Sequence, residues 1–82
     1  MISAQTDLQT LYDMTVMKAA TLVLSGEKFK VRDLWPEIEW KRIPVVVRSQ
    51  LGSMFFAYVK GNPGLYEPSG KTTQKQQLYI KL

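Results

Sequence analysis

The sequence contains neither cysteine nor histidine among its 82 residues. Without cysteine there is no disulfide framework and no thiolate metal site, and without histidine the commonest metal ligand and the usual general base are both missing. The acidic residues are scattered, and only Glu37 and Glu39 lie close together in the sequence. Their spacing matches no catalytic or metal-binding pattern. We therefore predict a protein that is not an enzyme and that holds no metal or other cofactor.

Long hydrophobic runs are also missing. No apolar stretch approaches the ~18 residues that a membrane-spanning helix needs, and the first residues lack the basic-then-apolar order of a signal peptide. These absences predict a cytoplasmic protein with no membrane partner. The hydrophobic fraction of 45% is ample for a core, and the length predicts a single domain over residues 1–82.

Acidic side chains are almost absent from the second half of the chain. Residues 41–82 carry seven basic residues and Glu67 as their one acidic residue, a net charge of +6. Residues 1–40 carry four basic and six acidic residues. A positive half of a small domain is typical of a protein with a polyanionic partner, although basic surfaces also serve solubility. Both explanations stay open at this point.

Hydrophobic periodicity predicts an N-terminal helix within residues 1–25, running from about residue 4 to residue 24. Ser3 or Thr6 can cap its start, and Gly26 can end it. The main apolar stripe is Leu8, Leu11, Tyr12, Thr15, Ala19, Leu22 and Val23. Four further apolar residues lie outside the stripe: Met14, Val16, Met17 and Leu24. They indicate either deeper burial against the C-terminal strands, which we favour, or a homodimer contact.

A short strand and a short helix come next. Phe29 and Val31 alternate with a polar residue, as in a strand, and Pro36 is tolerated only in the first turn of a helix. The apolar residues expected to pack beneath this short second helix are Leu34, Trp35, Ile38 and Trp40. In so small a chain, two tryptophans favour a core role over base stacking.

A long third helix is predicted over residues 44–60. Pro44 suits its first turn, and the Gly61-Asn62-Pro63-Gly64 stretch ends it. One face should meet the core and consists of Val47, Leu51, Met54, Phe55 and Tyr58. The opposite face presents Val46, Ser49, Gln50, Ser53, Phe56 and Lys60, which makes this the candidate recognition helix.

Residues 65–82 predict a β-hairpin, which we interpret as a wing. Strands at residues 65–68 and 77–82 flank a polar, basic loop without acidic residues. In the second strand, Leu78, Ile80 and Leu82 share one face, and Gln77, Tyr79 and Lys81 share the other. The strand at residues 29–31 can join the hairpin as a third. The order of helix, strand, short helix, helix and two-stranded wing predicts an α+β fold of the small winged helix-turn-helix type.

Three groups of residues resemble a known family. They are Phe29-x-Val31-x-Asp33-Leu34-Trp35; Glu39-Trp40-x-Arg42-Ile43-Pro44-x-x-x-Arg48-x-x-Leu51-Gly52-x-x-Phe55-x-x-Tyr58-Val59; and Gly70-Lys71-Thr72 with Gln77-x-Tyr79. Their spacing over residues 27–81 is similar to that of small bacterial and phage proteins known only as a domain of unknown function. The resemblance implies a phage or mobile-element regulatory role and no established biochemistry. The sequence departs from the family at Val45-Val46-Val47, where the pattern is more polar, so Val46 is expected to be exposed.

Double-stranded DNA is the leading partner on these grounds. The third helix would enter the major groove, and the hairpin loop would reach an adjacent groove or the backbone. Ser49, Gln50 and Ser53 are the candidates for base-edge contacts, because amide and hydroxyl groups pair with base edges. The candidates for backbone contacts are Arg42, Lys60, Lys71, Thr72 and Lys75, and Arg48 can serve either task. The function predicted is that of a non-enzymatic transcriptional or mobile-element regulator.

Two alternatives remain open. The first is a protein-binding adaptor or inhibitor of phage or mobile-element origin, which would use an apolar patch. Such a patch would be formed by Val45, Val46 and Phe56 on the third helix, or by Met14 and Met17 on the first. The second is a single-strand binder whose Tyr66 or Tyr79 stacks on bases.

Overall fold

The computed structural model describes residues 5–82 of the chain. The helices are α1 (Leu8–Leu22), α2 (Glu37–Arg42) and α3 (Val45–Gly61). The strands are β1 (Lys28–Phe29), β2 (Tyr66–Lys71) and β3 (Gln77–Lys81), and a 3₁₀-helix at Val31–Leu34 links β1 to α2. This is the predicted order of elements, and the α+β class is confirmed.

The three strands form one antiparallel sheet with β3 in the centre. β1 pairs with one edge of β3, with Phe29 opposite Tyr79, and β2 pairs with the other edge. The expectation that the short strand joins the hairpin is therefore confirmed, but the strand ends at Phe29, and Val31 lies in the 3₁₀-helix. The register of β2 is irregular between Pro68 and Lys71, where Gly70 adopts a φ of +83° that glycine accommodates best.

An aromatic cluster fills the space between α3 and the sheet. Phe29, Phe55, Tyr66 and Tyr79 lie with neighbouring ring centroids 5.1 to 6.2 Å apart. All four are at most 4% exposed. Burial raises the pKa of Tyr79 to about 12 and also raises the pKa of Tyr66. The suggestion that either tyrosine stacks on bases is wrong, because both rings are enclosed by this cluster.

Side chains alternate along β3 as predicted, and the face that carries Tyr79 is the one that packs on the core. Tyr79 is fully buried, whereas Leu78 and Ile80 are only half-buried and Leu82 is exposed. The reason is that rings from both flanking strands and from α3 gather on the Tyr79 side.

Asp7 caps the start of α1, instead of the predicted Thr6 or Ser3. The Asp7 carboxylate accepts the backbone N–H of Thr10 at 2.8 Å, and the hydrogen bonds from Thr10 hold the pKa of Asp7 below its ordinary value. Ser3 lies outside the described residues. Gly26 does not end the helix, because Val23 already adopts an extended conformation there; Gly26 lies in the following turn with a φ of +89°.

α1 fully buries only one row of side chains. Its buried residues, with Val23 just beyond the helix, are Leu11, Thr15, Ala19 and Val23. Leu22, Met17 and Leu24 stay 61 to 69% exposed. The favoured explanation of deeper burial is therefore wrong for Met17 and Leu24, whereas Met14 and Val16 are half-buried against the core. Leu22 belongs to the predicted apolar stripe but is exposed at the last position of the helix.

Lys81 of β3 holds the end of α1. Its ammonium donates hydrogen bonds to the carbonyl oxygens of Ala20 and Val23 at 2.8 Å and of Ala19 at 3.3 Å. A helix leaves its last carbonyls without partners, and a positive charge is favourable at that end. The carbonyl of Lys81 also accepts the N–H of Gly26 at 2.6 Å. This basic residue therefore serves the fold.

The segment between β1 and α3 packs on α1. The indole N–H of Trp35 donates to the hydroxyl of Thr15 at 3.3 Å, and both residues are buried. Leu34, Trp35 and Trp40 are buried as expected, which assigns both tryptophans to the core. Ile38 is 64% exposed, contrary to the prediction. The six-residue α2 buries its Trp40 side, and residues two apart point to different sides of a helix.

Candidate nucleic-acid interface

A groove of about 410 Å³ lies between α3, the corner where β1 meets the 3₁₀-helix, and the hairpin loop of residues 72–76. We call it the basic groove, after the four positive side chains that line it: Lys30 and Arg32 from the corner, Arg48 from α3, and Lys75 from the loop. No acidic residue is among its described lining residues. Three separate parts of the chain therefore bring positive charge to one place.

The polar face of α3 turns to solvent, as predicted from its periodicity. The helix starts after Pro44, whose carbonyl accepts the N–H of Arg48 at 2.9 Å. Ser49, Gln50 and Ser53 are exposed, and their side chains make no hydrogen bond within residues 5–82. Ser49 lines the basic groove, whereas Gln50 and Ser53 do not. All three side chains are thus open to an external partner.

Arg48 is anchored to the end of α2. Its Nε donates to the carbonyl of Trp40 at 3.2 Å, and its Nη2 donates to the carbonyl of Lys41 at 3.4 Å. The guanidinium also lies over the Trp40 ring, 5.5 Å from the centroid. Arg48 therefore caps α2 and, in the same pose, carries a fixed positive charge into the basic groove.

Thr72 organises the hairpin loop. Its hydroxyl accepts the backbone N–H groups of Gln74 at 3.2 Å and Gln76 at 3.1 Å, and its own N–H donates to the Gln76 carbonyl at 2.9 Å. The turn gives Lys75 a φ of +65°, a left-handed conformation that few residues other than glycine adopt. Thr72 thus fixes the loop in a shape that directs Lys75 to the groove.

The remaining predicted contacts lie away from the groove. The Lys60 ammonium is 5.1 Å from the ring centroid of Phe56 at the far end of α3. Lys71 is exposed at the end of β2, and Arg42 is half-buried at the end of α2. The groove thus brings together Arg48, Ser49 and Lys75 of the predicted set, and leaves outside it Arg42, Gln50, Ser53, Lys60, Lys71 and Thr72.

Lys30 and Arg32 were missed by the sequence analysis because they belong to the acidic half of the chain. Lys30 pairs with Asp33 at 3.0 Å. The Arg32 guanidinium is exposed and has no ion pair or hydrogen bond among the described residues. The predicted third strand could have indicated that these two residues reach the hairpin loop. Because β1 runs antiparallel to β3, the residues after Phe29 run toward the start of β3 and hence toward the hairpin loop.

Two other features of residues 5–82 bear on function. None of their helices is both long and apolar enough to cross a bilayer. Nor do three or more side chains of the metal-ligating acidic, histidine or cysteine types converge anywhere in this part of the chain. The basic groove itself offers positive charge and N–H donors, which are the groups that bind phosphate best.

Comparison with known proteins places this fold in a family. A solved structure of SCCmec type IV LP1413, described as a nucleic-acid-binding protein, has a TM-score of 0.73 and is 21% identical. The likeness covers 100% of this chain and 94% of that chain. No curated protein matches the sequence significantly. The family model of a domain of unknown function, DUF1413, matches residues 14–81 and confirms the resemblance drawn from the motifs. The chain belongs to the DUF1413 family.

Proposed function

We propose that the protein is a non-enzymatic DNA-binding protein that contacts duplex DNA through α3 and the hairpin loop. The observation that carries the proposal is the basic groove, where four positive side chains meet and only Lys30 has an acidic partner among the described residues. Such a surface attracts the phosphate backbone, which supplies much of the affinity of DNA-binding proteins. The similarity in fold to LP1413, a protein described as binding nucleic acids, supports the same class of partner.

In this proposal the fold works as a winged helix-turn-helix. α2 and α3 form the helix-turn-helix, and β2, β3 and their loop form the wing. The exposed residues Ser49, Gln50 and Ser53 face base edges in the major groove. The proposed backbone contacts are Arg42, Lys60, Lys71, Thr72 and Lys75, with Arg48 between the two groups.

We further propose that the protein acts in the cytoplasm as a transcriptional or mobile-element regulator. The resemblance to small phage and bacterial proteins supports this role. One observation favours a second candidate, a protein-binding adaptor or inhibitor: Val45 and Val46 at the start of α3 are 72% and 69% exposed. Met17 on α1 is 67% exposed and offers a second apolar surface, which also suits a homodimer.

A binding titration against a pool of varied duplexes tests the proposal. At about 50 mM salt, where phosphate contacts are strong, the protein should bind, and its affinity should fall steeply as salt is added. No binding under these conditions contradicts the DNA proposal and favours the adaptor. Single strands of the same sequences form the comparison, and tighter binding to them than to duplexes contradicts the duplex assignment.

Two variants separate backbone contacts from base contacts. Replacing Lys71 and Lys75 together by Ala should weaken binding to every duplex about equally and lower the salt slope by roughly one unit per lost contact. Gln50→Ala should cost about 1 to 3 kcal/mol at the preferred site and much less on random DNA. Circular dichroism should show a wild-type fold for both, because these side chains lie outside the core.

A further inference from the structure

Gly52 lies in the interior of α3 and lines the basic groove. Glycine is less favourable than alanine inside a helix, because its backbone loses more conformational freedom on folding. The fold requires no glycine at this position: residue 52 is helical, and a Cβ placed on it meets no described atom within 4 Å beyond its chain neighbours and the nearby backbone of α3 itself. The chain therefore carries a cost in helix stability that no internal packing explains.

The open space beside Gly52 is part of the basic groove. Arg48 and Ser49 lie about one turn earlier on α3, and Lys75 approaches from the hairpin loop. Glycine is the residue that lets a ligand come close to the backbone, because no side chain stands between them. The groove volume of about 410 Å³ is in the range of sites that hold a group the size of a nucleotide.

We propose that Gly52 marks where the sugar-phosphate backbone of one bound DNA strand crosses α3 within the basic groove. This assignment rests on the proposed function and deepens it, because it gives the groove, with Ser49 at its edge, to the backbone of a strand and leaves base contacts to Gln50 and Ser53, which lie outside the groove. Arg32 and Lys75 neutralise successive phosphates from the two sides of the groove. Arg48, held by two carbonyls of α2, supplies a charge whose position is already fixed.

The test compares the same substitution at two glycines of α3. Gly61 is the last residue of the helix and does not line the groove. Beyond its chain neighbours and the nearby helix backbone, it likewise has no described atom within 4 Å of an added Cβ. Melting temperature and affinity for duplex DNA are measured for wild type, Gly52→Ala, Gly52→Leu and Gly61→Ala at one salt concentration. Unlabelled deoxynucleoside monophosphate is included as a competitor.

The proposal predicts opposite effects on stability and binding at residue 52. Gly52→Ala should raise the melting temperature by roughly 2 to 8 °C, because it removes an unfavourable residue from a helix interior. It should also weaken binding, and Gly52→Leu should weaken it by about tenfold or more, because its bulk fills the path of the strand. Gly61→Ala should leave affinity unchanged and raise the melting temperature less, because helix ends fray.

Each contrary result has a separate meaning. If the wild type binds no DNA, the proposed function fails and this inference falls with it. If the wild type binds and both Gly52 variants bind equally well, this inference alone is wrong. A lower melting temperature for Gly52→Ala also overturns it, because the fold itself would then need the glycine. Competition by the monophosphate at concentrations near the DNA affinity would assign the groove to a free nucleotide and overturn the strand assignment.

Discussion

Residues 1–40 and residues 41–82 differ in net charge, at −2 against +6, yet both contribute to the basic groove. The acidic half supplies Lys30 and Arg32, which β1 carries toward the hairpin loop. The basic half supplies Arg48 and Lys75 to the groove, but it also directs Lys81 to the end of α1. The charge of a stretch of sequence therefore does not give the charge of a surface, because sheet pairing decides which side chains meet.

The largest expected effect comes from separating the two halves. Removing residues 1–24 deletes the buried side chains of α1 and the hydroxyl that accepts the Trp35 N–H, so the remainder should not fold cooperatively. Thermal and urea unfolding followed by circular dichroism will show this. A soluble fragment from residue 25 onward with a cooperative transition would contradict the role given to α1.

Two point variants refine that experiment within α1. Leu11 is 1% exposed, and Leu11→Ala should destabilise the protein by about 2 to 5 kcal/mol. Met17→Ala, at a position 67% exposed, should change the free energy of unfolding by less than about 0.5 kcal/mol. If the two losses were similar, the assignment of Leu11 to the buried side of α1 and of Met17 to its exposed side would be wrong. A Met17→Ala loss that depends on protein concentration would indicate a homodimer.

Lys81→Met tests whether a basic residue of the second half serves the fold. Methionine matches the four-atom apolar stem of lysine but removes the ammonium and its bonds to the end of α1. The expected loss is about 1.5 to 3 kcal/mol in the free energy of unfolding, the range for hydrogen bonds to charged groups. Lys71→Met, at an exposed position, is the matched control. Equal losses of stability for both variants would contradict the role of Lys81 at the end of α1.

Alkaline pH tests the aromatic cluster, to which both halves contribute. Burial raises the pKa of Tyr79 to about 12, so the folded protein favours the neutral ring. The stability that the neutral Tyr79 ring contributes is complete below the ordinary tyrosine pKa of about 10 and is lost as pH rises from there to about 12. The free energy of unfolding falls over this range by at most about 1.4 kcal/mol per pH unit. Urea midpoints across this range should fall more steeply for wild type than for Tyr79→Phe. Parallel curves would contradict a buried, neutral Tyr79.

The sequence predicted the order of elements because its periodicities are regular and prolines mark where two helices begin. α3 was predicted within about one residue at each end, since Pro44 precedes it and a Gly/Pro stretch follows. The exposed Leu22 and Ile38 were assigned to the core, because a helical apolar pattern does not tell which side a neighbour covers. The basic groove was only half predicted, because Lys30 and Arg32 join it through pairing between residues far apart in sequence.

The salt dependence of DNA binding for Arg32→Ala against Lys28→Ala tests the central claim most directly. Both residues are exposed, both lie in the acidic half, and both substitutions remove one positive charge, but only Arg32 lines the basic groove. If the groove binds DNA phosphates, Arg32→Ala should lower the salt slope by about 0.9 and Lys28→Ala should leave it unchanged. Equal slopes for the two variants would contradict the claim, because binding would then depend on net charge and not on the groove.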